Sequence, residues 1–286
     1  MIPFSCPNCS RGIGKVDKLL SKILDLLETK YRVRSCDCGM KYLWPRVEDE
    51  SLSELYSSNY FSGESLDATP ESYLDTVKSR HFKFKSCLLE LIHFLPKYDS
   101  NASKFTFLDV GAGTGDMVHL AQKAGFHADG LEFSSFARTK AKEYYNLELL
   151  SCNISDLKSS KYDVIHTNHV FEHFNNPLHE LRAIHKALKI TGILYIEIPR
   201  QFHFIELMKY MIGLNRVRYN LHSIHHPFFY TEKLLCNILR QNNFRILKSH
   251  TLTRTSKKNF LKVWSWKVLG LFGIGNVIEV YSTKII

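Results

Sequence analysis

The pattern of apolar and polar positions predicts that most of this chain alternates strands and helices. Residues 105–108 are apolar or favour strands, and three glycines follow at positions 111, 113 and 115. Apolar residues then recur at helical spacing from Met117 to Ala121. This order predicts a strand, a tight turn and a helix. Because similar units follow, we expect an α/β domain built on a doubly wound, mostly parallel sheet.

The later segments extend this alternation to the end of the chain. Further strands are predicted over residues 128–132, 147–152, 162–168, 193–199, 277–282 and from position 244. Helices are predicted over residues 71–95, 177–188 and 231–243, and after a cap at Ser134 or Ser135. The pattern therefore predicts a Rossmann-like sheet of seven strands with helices on both faces.

The N-terminal segment differs because it is rich in cysteine. Cys6 and Cys9 form the motif CPNC, and Cys36 and Cys38 form the shorter motif CDCG. Two pairs of thiolates carried on turns can hold zinc tetrahedrally, and four sulfur ligands would make that zinc structural. The C-x-C pair has one residue fewer than the usual zinc knuckle, so four reduced cysteines remain the alternative. A helix is predicted between the two pairs, over residues 16–28.

Turn-rich and basic segments suggest where the chain divides. The polar stretch 62–70 separates a cysteine-rich arm over residues 1–62 from a main domain over residues 71–286. An aromatic and basic insertion occupies residues 201–226. A basic, tryptophan-rich segment at 257–275 is either a peripheral membrane contact or a helix packed on the domain.

Composition is typical of a soluble globular enzyme. The chain has 286 residues, of which 44% are hydrophobic, and this is enough to bury a full core. Its formal net charge of +10 favours an anionic partner, such as nucleic acid, a phosphate-bearing sugar or lipid, or a membrane surface. No signal peptide and no apolar run of membrane length are visible, so we expect a cytoplasmic protein with reduced cysteines.

The glycine-rich turn predicts a site for a nucleotide-like cofactor. Glycines let a ligand approach the backbone and the free N–H groups that begin the next helix. A dinucleotide fingerprint would need glycine at position 116, where this chain has an acid that would repel a pyrophosphate. S-adenosylmethionine has no phosphate and carries a positive sulfonium, so it tolerates acids here. Glu132 ends the next predicted strand, where a carboxylate can accept both ribose hydroxyls.

These features resemble the class I S-adenosylmethionine-dependent methyltransferases. Their first motif, D-x-G-x-G-x-G, begins here at Asp109, and their later motif, x-x-x-x-E-H-x-x-x-P, matches HTNHVFEHFNNP at residues 166–177. The cysteine-rich arm and the L-Y-x-x-x-Y segment at 55–60 resemble a subgroup with an N-terminal zinc-knuckle arm. That subgroup is often found with sugar and polysaccharide biosynthesis.

The resemblance implies residues for two adjoining sites. The cofactor would contact Asp109, Gly111, Ala112, Gly113, Gly115, Glu132, Phe133, Asn153, Ile154 and Asn168. The acceptor would face His173, Glu172 and His226, beneath a cap formed by residues 201–226. One of His222, His225 and His226 would approach the active site, and we choose His226 because it abuts a proline that fixes the turn.

Three roles are open for Glu172 and His173. His173 could act as a general base, because an imidazole that titrates near neutrality can take a proton from an acceptor hydroxyl. His169, Glu172 and His173, with a later histidine, could instead hold a divalent metal. Metal-dependent small-RNA 2′-O-methyltransferases and ubiquinone-pathway O-methyltransferases have a similar motif. The pair could also simply fix its loop by hydrogen bonds.

We therefore predict a cytoplasmic methyltransferase that O-methylates a sugar, a glycan precursor or another small metabolite. One alternative is an RNA 2′-O-methyltransferase with a metal-assisted site, which the positive charge favours. The other is a non-catalytic binding protein that retains the cofactor fold. The sequence leaves the oligomeric state open.

Overall fold

The computed structural model describes residues 5–23, 30–46, 77–96, 105–202, 226–252 and 275–285. The predicted boundary at 62–70 lies outside these residues. So do most of the insertion over 201–226, nearly all of the basic segment over 257–275, and both His222 and His225. Within the described ranges, no helix is long and apolar enough to cross a membrane.

The N-terminal arm forms a small antiparallel sheet. β1 (Lys15–Val16) pairs with β2 (Arg32–Ser35), and β2 pairs with β3 (Lys41–Trp44). Between β1 and β2 lies α1 (Lys18–Ile23), which begins after Asp17 because Oδ1 of Asp17 accepts the Leu20 N–H over 3.0 Å. The predicted helix start at residue 16 is therefore wrong, since Val16 belongs to the sheet.

The main unit alternates helices and strands as predicted. Its helices are α2 (Val77–Phe94), α3 (Asp116–Lys123), α4 (Ser135–Tyr145), α5 (Pro177–Ala187) and α6 (Glu232–Gln241). Its strands are β4 (Thr106–Val110), β5 (His127–Leu131), β6 (Tyr162–Asn168), β7 (Leu188–Pro199), β8 (Phe228–Phe229), β9 (Phe244–Leu252) and β10 (Val277–Lys284). Short 3₁₀ turns occupy Ile154–Asp156 and Phe171–His173.

Six of these strands form one mixed sheet in the order β5-β4-β6-β7-β10-β9. The first four are parallel, and β10 runs antiparallel to both neighbours. The predicted third strand over 147–152 is reduced to one bridge between Leu131 and Leu150. Leu147 does not extend that pairing, because its N–H donates to the carbonyl of Ala141 near the end of α4 over 3.3 Å. The Rossmann-like fold class is otherwise confirmed.

Apolar side chains cover both faces of this sheet. One face packs on α2 and α3 through Phe84, Leu88, Leu91, Met117 and Leu120. The other packs on α5 and α6 through Leu181, Ile184, Leu234, Leu235, Ile238 and Leu239. In α6 the buried residues recur at helical spacing, which explains why this segment folds as an amphipathic helix. The arm packs on the face that carries α5 and α6.

The strand order creates a crevice at one edge of the sheet. β5 and β6 lie on opposite sides of β4, so the direction in which the chain adds strands reverses there. In open α/β sheets, ligands bind outside the carboxyl ends of the strands at such a switch point. The glycine loop leaves β4 at this edge, and residues 169–173 leave β6 beside it.

Candidate active site

The glycine loop between β4 and α3 adopts backbone conformations that favour glycine. Gly111, Gly113 and Gly115 have φ angles of +70°, +53° and +82°. A Cβ added to Gly111 would lie 2.3 Å from Cγ2 of Val170. The Gly111 N–H donates to the carbonyl of Leu131 over 2.8 Å. The loop is therefore held between the end of β5 and the turn that follows β6.

Glu132 lies directly against this loop. Its Oε2 accepts the N–H of Gly113 over 2.8 Å, and its Oε1 accepts the N–H of Ser134 over 2.8 Å. Burial raises the pKa of Glu132, and the two backbone donors oppose that shift. Each carboxylate oxygen has a second lone pair, so Glu132 can still accept a donor from the crevice. The ring of the next residue, Phe133, is 63% exposed.

Asp109, near the end of β4, pairs with a histidine of the neighbouring strand β6. It is buried, and its Oδ1 lies 2.6 Å from Nδ1 of His166 on β6. The His166 ring stacks on Tyr195 with 5.0 Å between centroids. Burial raises the pKa of Asp109, and the neighbouring imidazole opposes the shift. The side chain of Asp109 therefore links β4 to β6.

Asp116 anchors α2 to the start of α3. Its buried carboxylate accepts hydrogen bonds from the Arg80 guanidinium at 2.7 Å, the Tyr145 hydroxyl at 2.6 Å and the Thr114 hydroxyl at 2.9 Å. Burial favours the neutral acid, but Arg80 and the other donors outweigh it and lower the pKa of Asp116. This anion already occupies the positive end of the α3 dipole, so a phosphate there would meet like charge.

The other predicted cofactor residues lie around the same edge. Ala112 and Ile154 are buried, whereas Asn153 is exposed and donates its N–H to Oδ2 of Asp156 over 3.0 Å. Asn168 ends β6, and its Oδ1 accepts from Nζ of Lys83 over 3.2 Å. Its buried Nδ2 has no hydrogen-bond partner among the described residues. That amide is a donor available to a ligand in the crevice.

A cluster of alternating charges lies beside Asn168, and the sequence analysis missed most of it. Glu197 is fully buried near the end of β7, where it pairs with Lys83 of α2 and accepts the Tyr195 hydroxyl over 2.9 Å. Nε2 of His169 lies 3.3 Å from Glu197, and its Nδ1 lies 3.4 Å from Glu172. The His169 side chain is 43% exposed, and the desolvation that it does undergo disfavours the charged ring, but these carboxylates outweigh it and raise the pKa of His169 to about 9.

His173 and His226 meet next to a buried carboxylate. Their ring centroids are 4.5 Å apart, and ligand atoms of Glu172, His173 and His226 all lie within 4.8 Å of one another. Neither Glu172 oxygen accepts a hydrogen bond within the described ranges, although Oε1 lies 3.4 Å from Nδ1 of His169 and 3.9 Å from Nε2 of His173. His226 also contacts Gln201, with 2.5 Å between Nδ1 and Nε2. His169 lies outside this three-residue group.

The four cysteines of the arm come together as a second candidate metal centre. Sγ of Cys6 lies 3.6 Å from that of Cys38, Sγ of Cys9 lies 3.4 Å from that of Cys36, and all four lie within 4.8 Å of one another. Zn–S bonds of about 2.3 Å in a tetrahedron put the sulfurs about 3.8 Å apart. The cluster fits zinc, and its sulfurs are too far apart for disulfides of about 2.05 Å. The short C-x-C pair is therefore no obstacle to four sulfur ligands.

Comparisons with known proteins agree with this architecture. The methyltransferase domain family matches residues 79–249, which is more than half of the chain. A methyltransferase from Archaeoglobus fulgidus, described as SAM dependent, has a similar structure, with a TM-score of 0.52 and 15% identity; the match covers 74% of this chain and 99% of that one. Magnesium protoporphyrin IX methyltransferase from Synechocystis PCC 6803, solved with bound SAH, gives a TM-score of 0.55 at 14% identity, with 83% and 99% covered. A comparison with curated proteins gave no significant match.

The family match and the fold together define a class I S-adenosylmethionine-dependent methyltransferase. The chain belongs to the methyltransferase domain family.

Proposed function

We propose that this methyltransferase O-methylates a small acceptor, such as a sugar, a glycan precursor or another metabolite that carries a hydroxyl. Two features support the proposal. The arm resembles that of methyltransferases associated with sugar and polysaccharide biosynthesis. In addition, His173 and His226 flank the carboxyl edge of the sheet, where an acceptor could approach the donor.

The donor site would consist of the glycine loop and the residues around it. The glycine loop and the carboxylate of Glu132 fit an adenosyl ligand, because the loop presents backbone with little side-chain bulk and the carboxylate can accept hydroxyl hydrogens. Phe133 would cover the adenine, with Asn153 and Ile154 beside it. The Nδ2 group of Asn168, which has no hydrogen-bond partner among the described residues, would face the methionine part. When bound, S-adenosylmethionine supplies an electrophilic methyl group.

His173 would take the proton from the acceptor hydroxyl as the new bond forms. A buried carboxylate without a donor is costly, and this cost falls when a cation forms beside it. Glu172 is buried, its Oε1 pairs with Nδ1 of His169 over 3.4 Å, and the same oxygen lies 3.9 Å from Nε2 of His173. Its negative charge would therefore stabilise the imidazolium of His173, and this is the observation that carries the proposal. Most of the rate would come from holding the acceptor, methyl and sulfur in line.

The test combines acceptor discovery with a matched pair of variants. Metabolites and glycans from cells with and without the gene are compared by mass spectrometry for the gain of one methyl group. The purified protein is then assayed on the acceptor found. We expect His173→Asn to lower kcat by about 10² to 10⁴-fold. The same change at His179, which is 54% exposed on α5, should leave kcat unaltered. A fully active His173→Asn enzyme would refute the base assignment.

A metal-assisted RNA methyltransferase is a second candidate, supported by a different observation. Glu172, His173 and His226 bring a carboxylate oxygen and imidazole nitrogens within 4.8 Å, and these are ligands that divalent metals accept. The net charge of +10 also suits a polyanion. This candidate predicts that Mg²⁺ or Mn²⁺ restores activity after chelation. It also predicts that RNA binding weakens steeply as salt increases. Activity that is indifferent to chelator and RNA would exclude it.

A further inference from the structure

The sheet of the arm extends into the main unit at a strand that follows His226. β3 pairs with β2 along one edge and with β8 along the other, through Lys41 with Phe229 and Tyr42 with Phe228. The N–H of Leu43 donates to the carbonyl of Pro227 over 2.9 Å. His226 is the next residue back along the chain. The backbone that carries this histidine is therefore hydrogen-bonded to the arm.

The four-cysteine cluster is built into the same short stretch of chain. β3 begins just after the second cysteine turn, in which the Cys36 N–H donates to the carbonyl of Met40 over 2.8 Å. Tyr42 is fully buried, and its hydroxyl accepts the Gly14 N–H over 2.5 Å. The Tyr42 ring lies 6.3 Å from that of Phe228 on β8. The second cysteine turn is thus hydrogen-bonded to the residue before β3, and β3 holds Gly14 through Tyr42.

A continuous apolar core also links the cluster to the turn that carries Glu172 and His173. Cys6, Cys36 and Tyr42 belong to the same buried cluster as Phe171 and Tyr230. The ring of Tyr230 lies 5.6 Å from that of Phe171, which begins the 3₁₀ turn Phe171–His173. His173 therefore ends a turn that packs against the core shared with the arm, and His226 precedes the strand β8 that pairs with the arm.

We propose that the metal-binding arm positions the acceptor site, by clamping β8 so that His226 is held against His173. Zinc on the four cysteines would supply no chemistry of its own, because four sulfurs leave no open coordination position. It would make the two cysteine turns rigid and so preserve the edge of β3 on which β8 lies. The donor site includes no residue from 5–46. Disturbing the arm should therefore leave the binding of the methyl donor unchanged. The catalytic role of His173 and His226 rests on the proposed function. The positioning of β8 by the arm does not depend on it.

Cys36→Ser tests the proposal, with Asp37→Asn as its matched control. Asp37 lies in the same turn and is exposed, and its carboxylate accepts a hydrogen bond from the exposed Arg11 over 2.9 Å. We expect the control to retain about one zinc per chain and Cys36→Ser to lose it. Amide exchange over residues 228–231 should become about tenfold faster in Cys36→Ser and stay unchanged in Asp37→Asn. Affinity for S-adenosylhomocysteine, measured by calorimetry, should be retained in both proteins.

Two further experiments distinguish positioning of the acceptor site from general stabilisation of the fold. Phe228→Ala cuts the link while leaving all four cysteines, so it should keep zinc and still accelerate exchange at residues 228–231. Chelation of zinc from the folded wild-type protein should reproduce the exchange pattern of Cys36→Ser. Exchange that stays at the wild-type rate after zinc loss would overturn the proposal. Global unfolding with loss of S-adenosylhomocysteine binding would also overturn it, because the arm would then support the whole fold. Failure of O-methylation alone would leave the exchange result intact and would refute only the proposed function.

Discussion

The backbone N–H of Gly113 donates to Oε2 of Glu132 over 2.8 Å, so the loop after β4 and the acid after β5 form one continuous surface. The two groups come from different strands and meet at the switch point of the sheet. A ligand that contacts the loop backbone therefore lies within reach of the carboxylate. This relationship makes the donor site testable one residue at a time.

Removing the carboxylate should weaken donor binding. We expect Glu132→Ala to lower the affinity for S-adenosylhomocysteine by about 10- to 100-fold, since a hydrogen bond to a charged group contributes about 1.5–3 kcal/mol. Isothermal calorimetry measures the affinity. The control is Glu143→Gln, which changes an exposed acid on α4 and should bind normally. Normal binding by Glu132→Ala would show that the ribose is held elsewhere.

A side chain at Gly111 should disrupt the loop. The φ of +70° strains any other residue by about 1–2 kcal/mol, and a new Cβ would meet Val170 at 2.3 Å. Gly111→Ala should therefore lose S-adenosylhomocysteine binding and melt at a lower temperature. Adding Val170→Ala should restore part of the Tm, because it removes the contact but not the strain. Gly12→Ala is the control, since a Cβ there meets nothing within 4 Å.

Breaking the buried ion pair between Arg80 and Asp116 should destabilise the protein. Asp116→Ala leaves a guanidinium that is only 13% exposed beside a vacated site, and such losses cost about 3–5 kcal/mol. Urea unfolding measures this cost, and Lys140→Ala in an exposed pair should change nothing measurable. Because the pKa of Asp116 is lowered, its contribution is present at neutral pH and is lost as pH falls below the ordinary aspartate range. Equal unfolding curves for Asp116→Ala and wild type would contradict this ion-pair assignment.

His169 should titrate well above an ordinary histidine. Its pKa is raised to about 9, so its ion pairs stabilise the fold fully below the unfolded-state value and are lost as pH rises through about 9. An NMR titration of the ring measures this pKa, and Glu197→Gln should lower it. His119 serves as a comparison within the same protein, because burial and the nearby positive charge of Lys123 lower its pKa below the ordinary value. A His169 midpoint near that of a free imidazole would disprove the charge cluster.

Local patterns were enough to predict most of the main unit. The predicted strand over 162–168 is found as Tyr162–Asn168, and Ser134 and Thr231 cap α4 and α6 through their hydroxyls. These signals are strong because each depends on neighbours within one turn or strand. The predicted start of α1 is wrong, and the reason is also local. Aspartate is a common N-cap residue, and the Oδ1 of Asp17 accepts the Leu20 N–H, so the true start of α1 is visible in the sequence.

The charge cluster was harder to predict because its members are distant in sequence. Lys83 and Glu197 are 114 positions apart and meet only when α2 crosses the carboxyl edge of the sheet. One signal was available: an acid interrupts the otherwise apolar run that ends β7, in YIEIP. A buried acid in such a strand requires a partner, but periodicity does not say which one. The meeting of His173 and His226 likewise needed the tertiary fold, because the two residues are 53 positions apart in the sequence.

The pairing of β3 with β8 has a practical consequence for anyone who trims this chain. Removing the first 46 residues would strip the cover from Phe228 and Phe229, which are 3% and 4% exposed in the intact protein. Bare strand edges with apolar side chains recruit other chains. A shortened protein would therefore be expected to self-associate, and its poor behaviour in solution could be mistaken for a failure of the catalytic unit itself.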